Sequence, residues 1–170
     1  MVGEDKAAEL KRVIEAAFED IPYPGDHNIT AETPGDIEEK EVADALRGRH
    51  WREVSVDYIA EHPFLRSTLV FLNPAALRFY LAAFMIATID DYIKADFLTI
   101  ALWAELTPDS DKPYSKVADD FASLSAEQSH AVRLYLEYML EEHPEYKDYL
   151  GQGPVDDSLL LALERYWGDK

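Results

Sequence analysis

An all-α fold is the prediction, and three features of the sequence make it. Apolar residues recur at helical spacing over most of the 170 residues, which lines them up on one face of each helix. Helix-start signals precede three of these segments, at Asp36, Asn73 and Ser125. Strand signals are scarce: the best, S-T-L-V-F-L at Ser67–Leu72, suits one isolated extended segment. The expected architecture is a single domain over 1–170. It is a bundle of about five to seven helices around a central apolar helix near residues 74–90.

In the first helix, over Lys6–Asp20, the residues Leu10, Val13, Ile14, Ala17, Phe18 and Ile21 share one face and charges fill the other. Pro22–Gly35 then carries three of the nine prolines and two of the seven glycines, the composition of an ordered connection. Asp36 opens a second helix: its carboxylate can accept from the unpaired amides of the first turn, and Glu39 can reach back in a capping box. Gly48 ends that helix, and the Trp51 indole is expected to plug the join to a short helix over Ser55–Glu61.

Asn73-Pro74 is the clearest start, a capping residue followed by proline where a missing amide costs nothing. Beyond it Leu77, Tyr80, Leu81, Phe84, Met85 and Thr88 make one face and Phe79, Ala82, Ile86, Ile89 and Ile93 another nearly as apolar, so this helix belongs at the centre. Helical character resumes over Tyr92–Leu106 after a break at Asp90-Asp91, with Asp90 expected to pair with Lys94. L-T-P-D-S-D-K-P is a loop, and Ser125–Gln128 is a second capping box. Val132, Tyr135, Leu136, Met139 and Leu140 follow it, His143-Pro144 ends the helix, G-Q-G-P at 151–154 turns the chain, and Leu159, Leu160, Leu163, Tyr166 and Trp167 pattern a last helix.

The composition excludes several functions. Thirty-four Asp and Glu against 16 Lys and Arg give a net charge of -18, which disfavours binding to a phosphate backbone and favours a basic partner. The absence of cysteine removes disulfides, thiolate metal sites and thiol nucleophiles. The longest uncharged run, Phe79–Ile89, is eleven residues, short of the roughly 20 that span a bilayer. With an N-terminus unlike a secretory signal, the expected location is the cytoplasm. The five histidines have no zinc-ligand spacing, the Asp-x-Asp at 109–111 lacks the glycine and glutamate of a calcium loop, and no phosphate or dinucleotide loop occurs.

Four residues form a candidate structural or ligand site: Asp26, His27, Asn28 and Arg78. The first three follow Pro24-Gly25, which suits the centre of a type II turn. Arg78, on an apolar helix, needs a carboxylate or carbonyl partner; Asp26 or another loop acid is a natural one, and a ligand carboxylate or phosphate could take that place instead. A candidate partner surface comprises Tyr138, Glu141, Glu142, Glu145, Tyr146 and Tyr149, where aromatics alternate with acids.

The segments I-P-Y-P-G-D-H-N-I (21–29), G-R-H-W-R-E-V (48–54) and F-L-N-P-A-A-L-R-F-Y-L-A-A-F-M (71–85) resemble a family of bacterial proteins of unknown function. That family is marked by Tyr-Pro-Gly-Asp-x-Asn-Ile and Phe-Leu-x-Pro-x-Ala-x-Arg-aromatic-Tyr-Leu segments. Ala82 stands where its pattern carries proline. The resemblance implies no reaction, cofactor or catalytic residue.

The expected function is that of a protein-binding module, in its sharper form an immunity-type inhibitor that masks a basic partner. Neither nucleic acid nor membrane is an expected ligand, no cofactor, metal or catalytic group is assigned, and the sequence leans away from an enzyme. Two alternatives stand beside this one. The first is a small-molecule binder or enzyme with a pocket between the 22–29 loop and Arg78, and the second is a homo-oligomer formed through the C-terminal aromatics.

Overall fold

The computed structural model describes residues 2–66, 69–107, 120–143, 159 and 161–170. Its helices are α1 (Val2–Ala17), α2 (Ile37–Leu46), α3 (Val56–Glu61), α4 (Pro74–Asp90), α5 (Tyr92–Ala95), α6 (Phe97–Leu106) and α7 (Ala126–Glu142). A final π-helical turn spans Leu163–Trp167. The fold is all-α. Among the described residues the one extended pairing is an antiparallel bridge between Thr30 and Leu72, and no helix is long and apolar enough to cross a membrane.

The strand-like reading of Ser67–Leu72 is corrected: Pro63–Arg66 and Leu69–Phe71 are tight 3-10 turns. Leu65, Leu69 and Leu72 are buried, while Phe64 and Val70 stay exposed, and of these only Leu72 pairs with another extended residue, Thr30. The 109–113 loop and the 151–154 turn lie outside the described residues.

The chain groups into two compact units, one of Met1–Ala17 with Trp103–Lys170 and the other of Phe18–Leu102. In the first, α1 lies along α7. Leu10 and Ile14 of α1 and Val132, Tyr135, Leu136 and Met139 of α7 are buried, as their spacing predicts. Two indoles fix the interior by donating their N–H groups, Trp103 to the Tyr135 hydroxyl at 3.1 Å and Trp167 to the Leu106 carbonyl at 2.9 Å. Ser125 closes its capping box with Gln128.

In the second unit α4 runs unbroken through Ala82, and its first apolar face is buried from Leu77 to Thr88. On the second face Phe79 and Ala82 are buried and Ile86 and Ile89 half-buried, while Ile93, expected to extend it, lies past the break on α5 and is 74% exposed. Trp51 is buried at the join after α2, with the Arg52 guanidinium 4.4 Å over its ring. The break after Asp90 is real, but Asp90 is not the partner of Lys94. That ammonium reaches Asp57 on α3, while Asp91 accepts from the Lys94 amide at 2.9 Å and so caps α5.

Candidate functional site

The two Pro-Gly-Asp segments differ in conformation. In the second, the Asp36 amide donates to the Thr33 carbonyl at 3.2 Å and Gly35 has φ +87°. Pro34-Gly35 therefore occupies the centre of a type II turn, where the third residue must tolerate positive φ. In the first, Gly25 has φ +95°, but the closing bond runs from the Asn28 amide to the Gly25 carbonyl at 3.0 Å, which puts Asp26 and His27 at the tip. The type II turn expected around Pro24-Gly25 is thus displaced by one that starts at Gly25.

From that tip the three candidate side chains diverge. Asp26 Oδ1 accepts the Tyr23 hydroxyl at 2.7 Å. His27 is exposed, with Nδ1 3.4 Å from Glu32 Oε1. Asn28 Oδ1 accepts from Asn73 Nδ2 at 3.0 Å. Among the described residues no group of three or more His, Asp or Glu is placed to hold a metal ion.

The partners of Asp26 correct the expected pairing with Arg78. Besides Tyr23, its carbonyl accepts from Arg47 Nε at 3.2 Å, and Arg47 also bridges Glu32 and Asp44. Arg78 is half-buried on α4 and makes an interaction of its own. The loop is joined to the start of α4 by Asn73 instead. Its amide donates to the Ile29 carbonyl at 2.9 Å, and Nδ2 donates to the Thr30 carbonyl at 2.9 Å as well as to Asn28. Asn73 therefore spends its side chain on the loop and makes no cap bond to α4.

Glu39 departs from the capping box in a related way. Asp36 caps α2 as expected, accepting from the Glu39 amide at 3.0 Å, but the Glu39 carboxylate passes Asp36 and accepts from the Thr33 amide at 3.1 Å. Only 3% exposed, it ties the Pro-Gly-Asp turn to the helix. Hydrogen bonding from Thr33, against the opposing effect of burial, holds this carboxyl below the usual carboxylate range. Thr30, Thr33 and Glu39 border a cavity of about 330 Å³ that Lys40, Asp44 and Arg47 close on the far side.

The C-terminal end of α2 is finished by tyrosines from three elements. A helix leaves its last carbonyls unpaired, and here the Tyr58 hydroxyl donates to Ala45 O at 2.6 Å. The buried Tyr80 hydroxyl shares its proton between Leu46 O at 2.6 Å and Arg49 O at 2.7 Å; burial pushes its pKa up. Gly48, at φ +69°, turns the chain out of the helix and donates its amide to the Tyr23 hydroxyl at 2.7 Å. Burial, and then the bond to Asp26, raise the pKa of that phenol.

These bonds bring all three motif segments to one pocket of about 200 Å³, lined by Tyr23, Gly48, Arg49, His50 and Phe79. The Phe79 ring meets Tyr23 edge-on at 5.3 Å and His50 at 5.7 Å. Arg49 lies 4.2 Å over the Tyr58 ring, which stacks on His62 at 4.0 Å. At such distances the two cannot share one face, so Tyr58 is held between them. Sequence reasoning missed Arg49 and His50. The available signal was the run R-G-R-H-W-R, which sets three arginines and a histidine within residues 47–52 of a strongly acidic chain.

Of the candidate partner surface, Tyr138, Glu141 and Glu142 lie on α7, and Glu145, Tyr146 and Tyr149 fall outside the described residues. Tyr138 is half-buried, and burial raises its pKa. A groove of about 310 Å³ runs between α1 and α7. Leu10, Val13 and Leu134 floor it with Tyr138, and Glu9, Glu137 and Glu141 edge it. Lys6 is tied to Glu141 at 2.7 Å, and Tyr135 and Trp167 are wholly core.

No curated protein and no solved structure matches the chain. The chain belongs to a family of unknown function, DUF6714, whose family model matches residues 6–170.

Proposed function

We propose that this protein is a binding module for a basic protein partner, and that the groove between α1 and α7 is its contact surface. The observation that carries the reading is an apolar floor with acidic edges in one groove. A segment presenting Lys or Arg beside aliphatic side chains would bury the aliphatic part on Leu10, Val13 and Leu134 and place its cations against Glu9 and Glu137, displacing or sharing the exposed ion pairs these acids make with Arg12 and Arg133. The net charge of -18 adds long-range attraction for such a partner, which raises the association rate at low salt and fades beyond a Debye length of about 10 Å. In the narrower form of the proposal the partner is a toxic enzyme with a basic substrate-binding face, and binding masks that face.

The test is a low-salt pull-down with the full chain and with a Glu9→Lys/Glu137→Lys variant. A basic protein retained by the first and lost from the second supports the proposal. Capture of no basic protein, or equal capture by both, contradicts it. Rescue of growth when the captured protein is co-expressed with the chain would support the inhibitor form.

A further inference from the structure

We infer that the pocket at Tyr23, Gly48, Arg49, His50 and Phe79 binds a small carboxylate with a flat apolar body, an activity separate from the groove between α1 and α7. The first support is the state of Arg49. Cations in this chain are outnumbered by acids, and most described ones are paired, including Lys6, Arg12, Lys40, Arg47, Arg52, Arg66, Lys94 and Arg133. The Arg49 guanidinium is half-buried and, among the described residues, has neither a carboxylate nor a hydrogen-bond acceptor; its Nε is covered and unpartnered. Removing a guanidinium from water without an anion is costly, and Arg49 gains only the face of Tyr58 in return.

The second support is preorganisation. Tyr58 is fixed by its bond to Ala45 O and by the stack on His62, so the guanidinium plane is set before any ligand arrives. Its terminal nitrogens remain to engage a carboxylate as a planar fork. His50 Nδ1 accepts from the Arg52 amide at 3.2 Å, so the neutral ring carries its proton on Nε2 and offers a second donor.

The third is shape. Rings of Tyr23, His50 and Phe79 wall the pocket, and its volume of about 200 Å³ compares with roughly 150 Å³ for a cavity that takes benzene. One ring with one carboxylate fills it. Gly48 adds no side chain to that space, since a Cβ placed there meets nothing within 4 Å.

Benzoate is the probe, titrated into the ¹⁵N-labelled full chain and followed by amide chemical shifts, with benzyl alcohol and inorganic phosphate as controls. Saturable shifts at Gly48 and His50 with benzoate, weakened about tenfold or more by Arg49→Gln and partly restored by Arg49→Lys, are expected. Unchanged melting of the variants shows that they remain folded; Arg52→Gln, outside the pocket, should bind nearly as the parent does. Absence of saturation, equal binding by Arg49→Gln, or equal binding of phosphate or benzyl alcohol would overturn the assignment.

Discussion

Asn73 and Ser125 each precede the first turn of a 17-residue helix, and they use their side chains in opposite ways. Ser125 Oγ accepts from the Gln128 amide at 3.2 Å, and Gln128 Oε1 returns to the Ser125 amide at 3.0 Å. The whole exchange lies within four residues. Asn73 leaves the Ala75 and Ala76 amides, the ones a cap would serve, without a side-chain bond, and its carboxamide donates 45 residues away to Asn28 and 43 away to the Thr30 carbonyl. A residue at a helix start is thus given over to tertiary work, and here that work joins two motif segments.

The contrast predicts where perturbation should hurt most. Tyr80→Phe removes a buried hydroxyl that serves Leu46 O, which keeps the Arg49 amide at 3.1 Å, and Arg49 O just past α2, and it should cost about 2 kcal/mol in urea denaturation, since the Arg49 carbonyl left unpaired costs roughly 1–3 kcal/mol. A change under about 0.5 kcal/mol would show that water replaces the hydroxyl and that the tertiary bond carries little. Ser125→Ala should cost less, about 1 kcal/mol, as for an ordinary N-cap, and the loss should add independently to that of Tyr80→Phe. Strong coupling between the two would break the distinction between local and tertiary caps.

A smaller effect is expected in acid. Because the native pKa of Glu39 is held below its ordinary 4.5, the unfolded chain binds more protons in that window and stability rises with pH there. The contribution is complete above about pH 4.5 and is lost as pH falls through the depressed value. Glu39→Gln, which keeps an oxygen for the Thr33 amide, should flatten the acid limb of the stability curve. An unchanged slope would mean that the tie to Thr33 does not depend on charge.

The legible part of the molecule is the part governed by neighbours in sequence. Apolar spacing located α1, α4 and α7, and Gly48, Ser55, Pro74, Ser125 and His143 marked element ends correctly because each limits or caps the backbone within one turn. The errors fall on the choice of polar partner, which spacing along the chain does not decide. Glu39 bypassed Asp36 for Thr33, Lys94 chose Asp57 over Asp90, and the Asp26 carboxylate took the Tyr23 hydroxyl three residues back rather than Arg78. Arg49 and His50 were hidden for a related reason: nothing near them in sequence shows that Tyr23, Tyr58 and Phe79 will surround them.

The most direct measurement is the stability of Asn73→Asp beside that of Ser125→Asp. Aspartate caps a helix as well as asparagine or serine does, so Ser125→Asp should stay within about 0.5 kcal/mol of the parent. At position 73 the carboxylate cannot donate and would face the Asn28 and Thr30 oxygens, so a loss of about 1–3 kcal/mol is predicted. An Asn73→Asp variant as stable as the parent would contradict the account and reduce Asn73 to a cap.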